Sequence, residues 1–126
     1  MTTYLRTVIT EVGPDVADLA EGGVLILFAE GAPPELAEVS VLHRVEDGPT
    51  ETAPSVGATI AVGEVTATLT ALGDLAWNKV RDIGHVVINF NGATAAERPG
   101  EICASSVDSE AFVAALISGA AIAITD

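Results

Sequence analysis

The sequence predicts a mostly β fold: a small antiparallel β-barrel of about six to eight strands with one main short α-helix. Three observations predict it. The apolar runs are strand-sized and separated by Gly, Pro and Asn turns. One of them, "VTATLTAL" (65–72), alternates cleanly: Val65, Ala67, Leu69 and Ala71 share one face and Thr66, Thr68 and Thr70 the other. Only "GDLAWNKVRDIG" (73–84) combines helical spacing with helical end signals.

In chain order, "TYLRTVITEV" (3–12) is a first strand closed by "GPD". "DVADLAE" (15–21) has room for one or two helical turns before Gly22-Gly23. "VLILFAE" is a second strand with too little alternation to face water, and "GAPPEL" forces a turn because Pro33 and Pro34 cannot continue the pairing. "EVSVLHRVE" (38–46) is the third strand, with Val39, Val41, His43 and Val45 of one parity. The segment 47–57, rich in Pro, Thr and Gly, is the longest irregular stretch. "ATIAV" and "VTATLTAL" make a hairpin about Gly63-Glu64. In the main helix Asp74 is a candidate N-cap, Ala76, Val80 and Ile83 follow helical spacing, and Gly84 suits the left-handed C′ position. "HVVINF" ends at the Asn91-Gly92 turn, "ERPGEICASS" reads as turn then strand, "DSEAFVAAL" as a short helix capped by Asp108 or Ser109, and "AAIAIT" as a last strand.

At 126 residues the chain reads as a single domain, 1–126. Apolar residues make up 49% but aromatics only 4%, so the core must be assembled from many small side chains. No apolar window reaches the roughly 20 residues of a membrane helix. The N-terminus lacks the pattern of a signal peptide, and Cys103 is alone, so an oxidising compartment gains no support; the expected location is cytoplasmic. Eighteen acids against five bases give a formal charge of -13. That disfavours nucleic acid and anionic membrane surfaces and suits a basic protein partner. Three of the five bases accompany the two histidines: Arg44 adjoins His43, and Lys79 and Arg81 precede His85.

Few chemical motifs stand out. The histidines belong to no metal-binding cluster, and no metal site is expected. Neither GxxxxGK[ST] nor GxGxxG occurs, and Cys103 on a strand reads as a small buried hydrophobe. His43, on an apolar strand face, is on residue type alone more often a satisfied core histidine than a reactive one. Arg44 offers a guanidinium suited to phosphate oxygens, although its strand parity is opposite. His85 follows the glycine that ends the helix, which fixes it at an element end. An imidazole nucleophile flanked by apolar walls would suit a phosphohistidine, since excluding water slows its hydrolysis.

Several collinear motifs carry a resemblance. "FAEGAPPEL" (28–36), followed seven residues later by the histidine of "VLH", "WNKVRDIGHVVINFNG" (77–92) and "ERPGEI" (97–102) together resemble the glucitol/sorbitol-specific IIA component of the bacterial phosphoenolpyruvate-dependent sugar phosphotransferase system. The likeness covers most of the chain and is weakest in 46–57 and after Ala104. It implies a phosphocarrier in which His43 accepts a phosphoryl group, through Nε2, from the phosphocarrier protein HPr. The group then passes to the IIB component of a polyol permease. His85 matches the second family histidine and would hydrogen-bond the phosphoryl or orient His43. The resemblance implies no bound cofactor and no insertion into the membrane, and it assigns no role to Arg44. The competing reading is a non-enzymatic acidic β-barrel, a binding or scaffold module whose histidines are structural.

Overall fold

A computed structural model describes residues 2–126. Eight strands close into a barrel: β1 (Thr3–Val12), β2 (Val24–Ala29), β3 (Val41–Asp47), β4 (Thr59–Val62), β5 (Val65–Leu72), β6 (Val86–Asn89), β7 (Glu101–Ala104) and β8 (Ala121–Thr125). Around the barrel they run β1-β3-β2-β6-β7-β5-β4-β8. Four short helices lie between them: α1 (Val16–Glu21), α2 (Pro34–Ala37), α3 (Ala76–Ile83) and α4 (Ser109–Ala115). The expected barrel is present, and α3 is the longest helix.

The barrel is mixed rather than wholly antiparallel. β2 pairs with β3, and β6 with β7, in parallel; the other neighbours are antiparallel. Parallel neighbours need a crossover in place of a tight turn. Residues 30–40 supply the first crossover: the prolines of "GAPPEL" stop β2 and then start α2, with Pro34 in its first turn, where a missing N–H costs nothing. Residues 90–100 supply the second. One consequence bears on the site: β2 has a parallel neighbour on one side, β3, and an antiparallel one on the other, β6.

Strand alternation fills the interior. Leu5 and Ile9, Leu25 and Leu27, Ile60 and Val62, Ala67 and Leu69, Val86 and Ile88, and Ile122 and Ile124 are buried, while their neighbours reach outward. Each Leu, Ile or Val enclosed in this way contributes on the order of 1.5–3 kcal/mol of transfer free energy. Phe112 plugs the barrel from α4 and meets Phe90 with ring centroids 4.7 Å apart. The β4–β5 hairpin turns at Gly63-Glu64, with Val62 facing Val65, and β5 buries the expected face. Asp108 caps α4, accepting from the Ala111 N–H at 2.9 Å.

Two expected details differ. Asp74 does not cap α3; Leu75 holds the N-cap position without a side-chain bond. The third strand begins at Val41 rather than Glu38, because residues 37–40 complete the turn out of α2. Val41 and His43 are buried as their parity predicts, but Val45 lies where β3 runs out of cover and is exposed.

α3 is tied to the irregular segment 48–58 by the buried Trp77, whose indole N–H donates to the Thr50 carbonyl at 2.7 Å. Trp77→Phe keeps much of the packing and deletes that bond. The expected loss is about 1 kcal/mol in urea denaturation followed by circular dichroism, with an unchanged m-value. An unaltered midpoint would mean that the bond contributes nothing net.

Candidate functional site

The two histidines reach one place from opposite sides of β2. In the parallel ladder Ala29 sits opposite His43 of β3. In the antiparallel ladder Leu27 sits opposite Val86 of β6, which leaves His85 just before that pairing. Between them stands Gly84, which ends α3 at φ 65°, ψ 22°, with its N–H on the Val80 carbonyl at 3.0 Å. This is the left-handed terminus the sequence predicts. It also requires glycine for space: a Cβ here would lie 2.9 Å from the Ala29 Cβ and 3.3 Å from His43 Nε2.

His43 is 2% exposed, and both of its ring nitrogens are engaged. Nε2 lies 2.7 Å from the Gly84 carbonyl oxygen, and Nδ1 lies 2.6 Å from the hydroxyl of the buried Thr7 on β1. A carbonyl can only accept, so Nε2 carries the proton and donates it. In the neutral ring Nδ1 is then bare and accepts from the Thr7 hydroxyl. Burial pushes the His43 pKa below its ordinary 6.5, while the bond to Gly84 and the charge of Glu30 pull partly back. His43 is therefore a neutral imidazole of fixed tautomer with no free lone pair.

His85 has the opposite arrangement. Its Nδ1 lies 3.0 Å from the Leu27 carbonyl oxygen, so Nδ1 is the donor. Phe28 packs against the ring, with centroids 4.9 Å apart. Nε2 has no protein partner, and it is not among the buried atoms lacking one, so in the neutral ring a bare nitrogen is open to solvent. The half-buried ring lines a depression of about 250 Å³ with Lys79, Val87, Arg98, Pro99, Gly100 and Glu101. Neither Lys79 nor Arg98 makes an ion pair among the described residues. The one buried carboxylate here, Glu101, is occupied: its oxygens accept from Asn89 Nδ2 at 2.8 Å and from the Glu97 N–H at 2.7 Å. A larger, mostly apolar hollow of about 540 Å³ between Gly63–Val65 and α4 contains neither histidine nor any cation.

The structure thus brings His43 and His85 together at Gly84 but gives them different access. His43 is enclosed, and the depression belongs to His85. Arg44 points to the other face of β3 and stands 3.9 Å from Glu30. Of the two bases before His85, Lys79 lines the depression and Arg81 does not. Cys103 is buried on β7, its thiol pKa raised by burial and by Glu101 and Glu97. No group of side chains suited to a metal ion occurs among the described residues. Arg98 escapes the sequence reading; its only signal is its place in "ERPGE", whose Pro-Gly turn packs against Lys79. A bare imidazole nitrogen on a ring that shares a depression with two cations can act as a nucleophile toward an anionic electrophile.

The depressed His43 pKa has a consequence for stability. The folded state resists protonation that the unfolded chain accepts near pH 6.5, so this contribution is complete above that pH and declines as pH falls toward the lower folded value. The thermal midpoint should therefore drop between about pH 7 and 5.5, before most carboxylates titrate. In His43→Gln that drop should flatten. Parallel pH profiles for the two proteins would contradict the assignment.

Residues 4–120 match the family described as PTS system glucitol/sorbitol-specific IIA component. The chain is 34% identical over 102 residues to the PTS system glucitol/sorbitol-specific EIIA components of Shigella flexneri and of Escherichia coli (strain K12), covering 81% of this chain and 81% of each relative. Its fold is also that of the crystal structure of a PTS system IIA component from Enterococcus faecalis V583, with a TM-score of 0.73 at 19% identity over 96% of this chain and 99% of that one. No helix among the described residues is long and apolar enough to cross a membrane. With a matching family over nearly its whole length and two relatives above the identity at which families are reliably shared, the chain belongs to the glucitol/sorbitol-specific IIA components of the sugar phosphotransferase system.

Proposed function

We propose that this protein is a cytoplasmic phosphocarrier: it takes a phosphoryl group from phospho-HPr onto a histidine of the His43–His85 pair and passes it to the IIB component of a glucitol/sorbitol-type permease. The observation that carries the reading is the histidine pair itself, held about Gly84 by three hydrogen bonds and bordered by Lys79 and Arg98. A scaffold module would have no need of a bare, solvent-facing imidazole nitrogen beside two cations in a chain of net charge -13.

The chemistry asks little else of the protein. Transfer between two imidazoles passes through a loose, metaphosphate-like state, for which positioning and charge compensation matter more than covalent help. The acidic body favours encounter with basic partner surfaces, so transfer rates should fall as salt rises. No cofactor takes part in the relay.

The test is to incubate the protein with phosphoenolpyruvate, enzyme I and HPr. The expected product carries a single acid-labile, base-stable phosphoryl group, which is lost on addition of IIB. The double variant His43→Gln/His85→Gln, folded by circular dichroism, should stay unlabelled. A wild-type protein that remains unlabelled by a competent donor sinks the carrier reading, and a labelled double variant sinks the histidine site.

A further inference from the structure

The side of the barrel opposite the histidines has a composition of its own. The histidine pair is built about β2, and β4 stands four strands from β2 in either direction around the eight. There the β4–β5 turn packs on α4, so closely that a Cβ on Gly63 would meet the Ala115 Cβ at 3.5 Å. Gly63, Val65, Ala111, Ala114, Ala115 and Ile117 line the hollow of about 540 Å³. Most of these side chains are too small to fill it, and Ile117 stands 60% exposed beside it. The next face of α4 lines a second hollow of about 330 Å³, where Ser109, Glu110 and Val113 meet Glu21 of α1.

The charge on this side is equally uneven. All five Lys and Arg lie on β1, β3, α3 or the crossover into β7; α1, α4, β4, β5 and β8 carry none. Arg6, on the strand beside β8, turns to Glu46 of β3 at 3.5 Å. Glu64 in the first hollow and Glu21 and Glu110 in the second are exposed and make no ion pair among the described residues. An occupant must therefore bring apolar side chains for the first hollow and positive charge for its surroundings. A second copy fails the second condition, because a two-fold pairing would set Glu64 and Glu110 against themselves. An anionic lipid surface is repelled. A basic amphipathic segment meets both conditions: its apolar side chains at i, i+3 and i+4 enter the hollow while flanking Lys or Arg reach Glu64, Glu21 and Glu110.

We infer that α4 and the β4–β5 turn dock a basic amphipathic segment on the cytoplasmic side of the permease; the identity of that partner rests on the phosphocarrier reading. Cytoplasmic segments flanking membrane helices are enriched in Lys and Arg, so a permease presents this chemistry close to the component that takes the phosphoryl group. A carrier held by α4 keeps its histidines on the opposite side of the barrel, where HPr and IIB reach them in turn while it stays attached. Attachment raises the local concentration of carrier at IIB without any new contact at the histidines.

The test titrates ¹⁵N-labelled carrier with the permease in phosphatidylcholine nanodiscs and follows its amide signals. Loss of signal centred on 63–65 and 110–120 is expected, and it should weaken as salt is raised. Ala114→Glu/Ile117→Glu puts charge into the hollow, and Glu64→Lys/Glu110→Lys reverses the charge around it. Each should lower the affinity for the permease at least about tenfold. Both variants, folded by circular dichroism, should take label from phosphoenolpyruvate through enzyme I and HPr and pass it to isolated IIB at undiminished rates. Signal loss confined to the histidine side, or an unchanged affinity in either variant, overturns the inference. Equal loss with empty nanodiscs, or on raising the carrier concentration alone, also overturns it, by putting lipid or a second copy in the hollow. Any of these results in a protein that still takes label leaves the carrier reading standing; no label from a competent donor overturns that reading and this inference together.

Discussion

The hydrogen bond from His43 Nε2–H to the Gly84 carbonyl is the constraint on which the rest of the site depends. It joins β3 to the end of α3 across the tip of β2. It also forces two electronic consequences: the acceptor carbonyl fixes the tautomer of His43, and that tautomer obliges the Thr7 hydroxyl to donate. None of this is available without a left-handed residue at 84, because only there does the chain turn tightly enough to lay a carbonyl against a ring that a Cβ would crowd. Buried polar groups are costly unless paired. Here the pairing is complete, which is how a histidine and a threonine sit in an otherwise apolar layer of the barrel.

The mixed topology makes this convergence possible. An all-antiparallel meander would place β2 and β3 as a hairpin, with a short turn between them. The crossover through 30–40 instead lays β3 parallel to β2, so Ala29 faces His43 and the Glu30 N–H reaches the His43 carbonyl. On the other edge β6 runs antiparallel, which starts that strand beside Leu27 and hands its carbonyl to His85. The two imidazoles thus take their hydrogen-bond partners from backbone that the barrel already holds rigid. One ring turns inward and spends both nitrogens; the other turns outward and retains one. Outside that ring, Lys79 and Arg98 bring two of the chain's five bases to one depression of a strongly acidic protein.

Much of this was legible in the sequence, for reasons that can be named. The alternation in Val65–Leu72, the two-residue turn at Gly63-Glu64, the Asp108 cap and the glycine ending α3 are local signals, each set by neighbours in the chain. Both histidines were legible as candidates, and Gly84 as the reason His85 sits at an element end. The parallel pairings were not, because strand direction depends on which strands meet, and a crossover through "GAPPEL" looks locally like any proline turn. Asp74 shows the limit of cap rules: a suitable residue one position early captures nothing when the helix starts elsewhere. His43 sat correctly on its apolar face, yet periodicity could not say that a distant carbonyl and hydroxyl would take both its nitrogens. Arg98 lies far from either histidine in sequence and is brought to His85 only by the β6–β7 crossover.

The central claim is that backbone carbonyls give the two imidazoles opposite tautomers, leaving one bare nitrogen at the surface. Long-range ¹H–¹⁵N correlation spectra of the unphosphorylated protein, recorded at a pH where both rings are neutral, read this directly. The account predicts a protonated Nε2 and bare Nδ1 for His43, and a protonated Nδ1 and bare Nε2 for His85. A His85 protonated at Nε2, or a His43 averaging between tautomers as a free imidazole does, would contradict it.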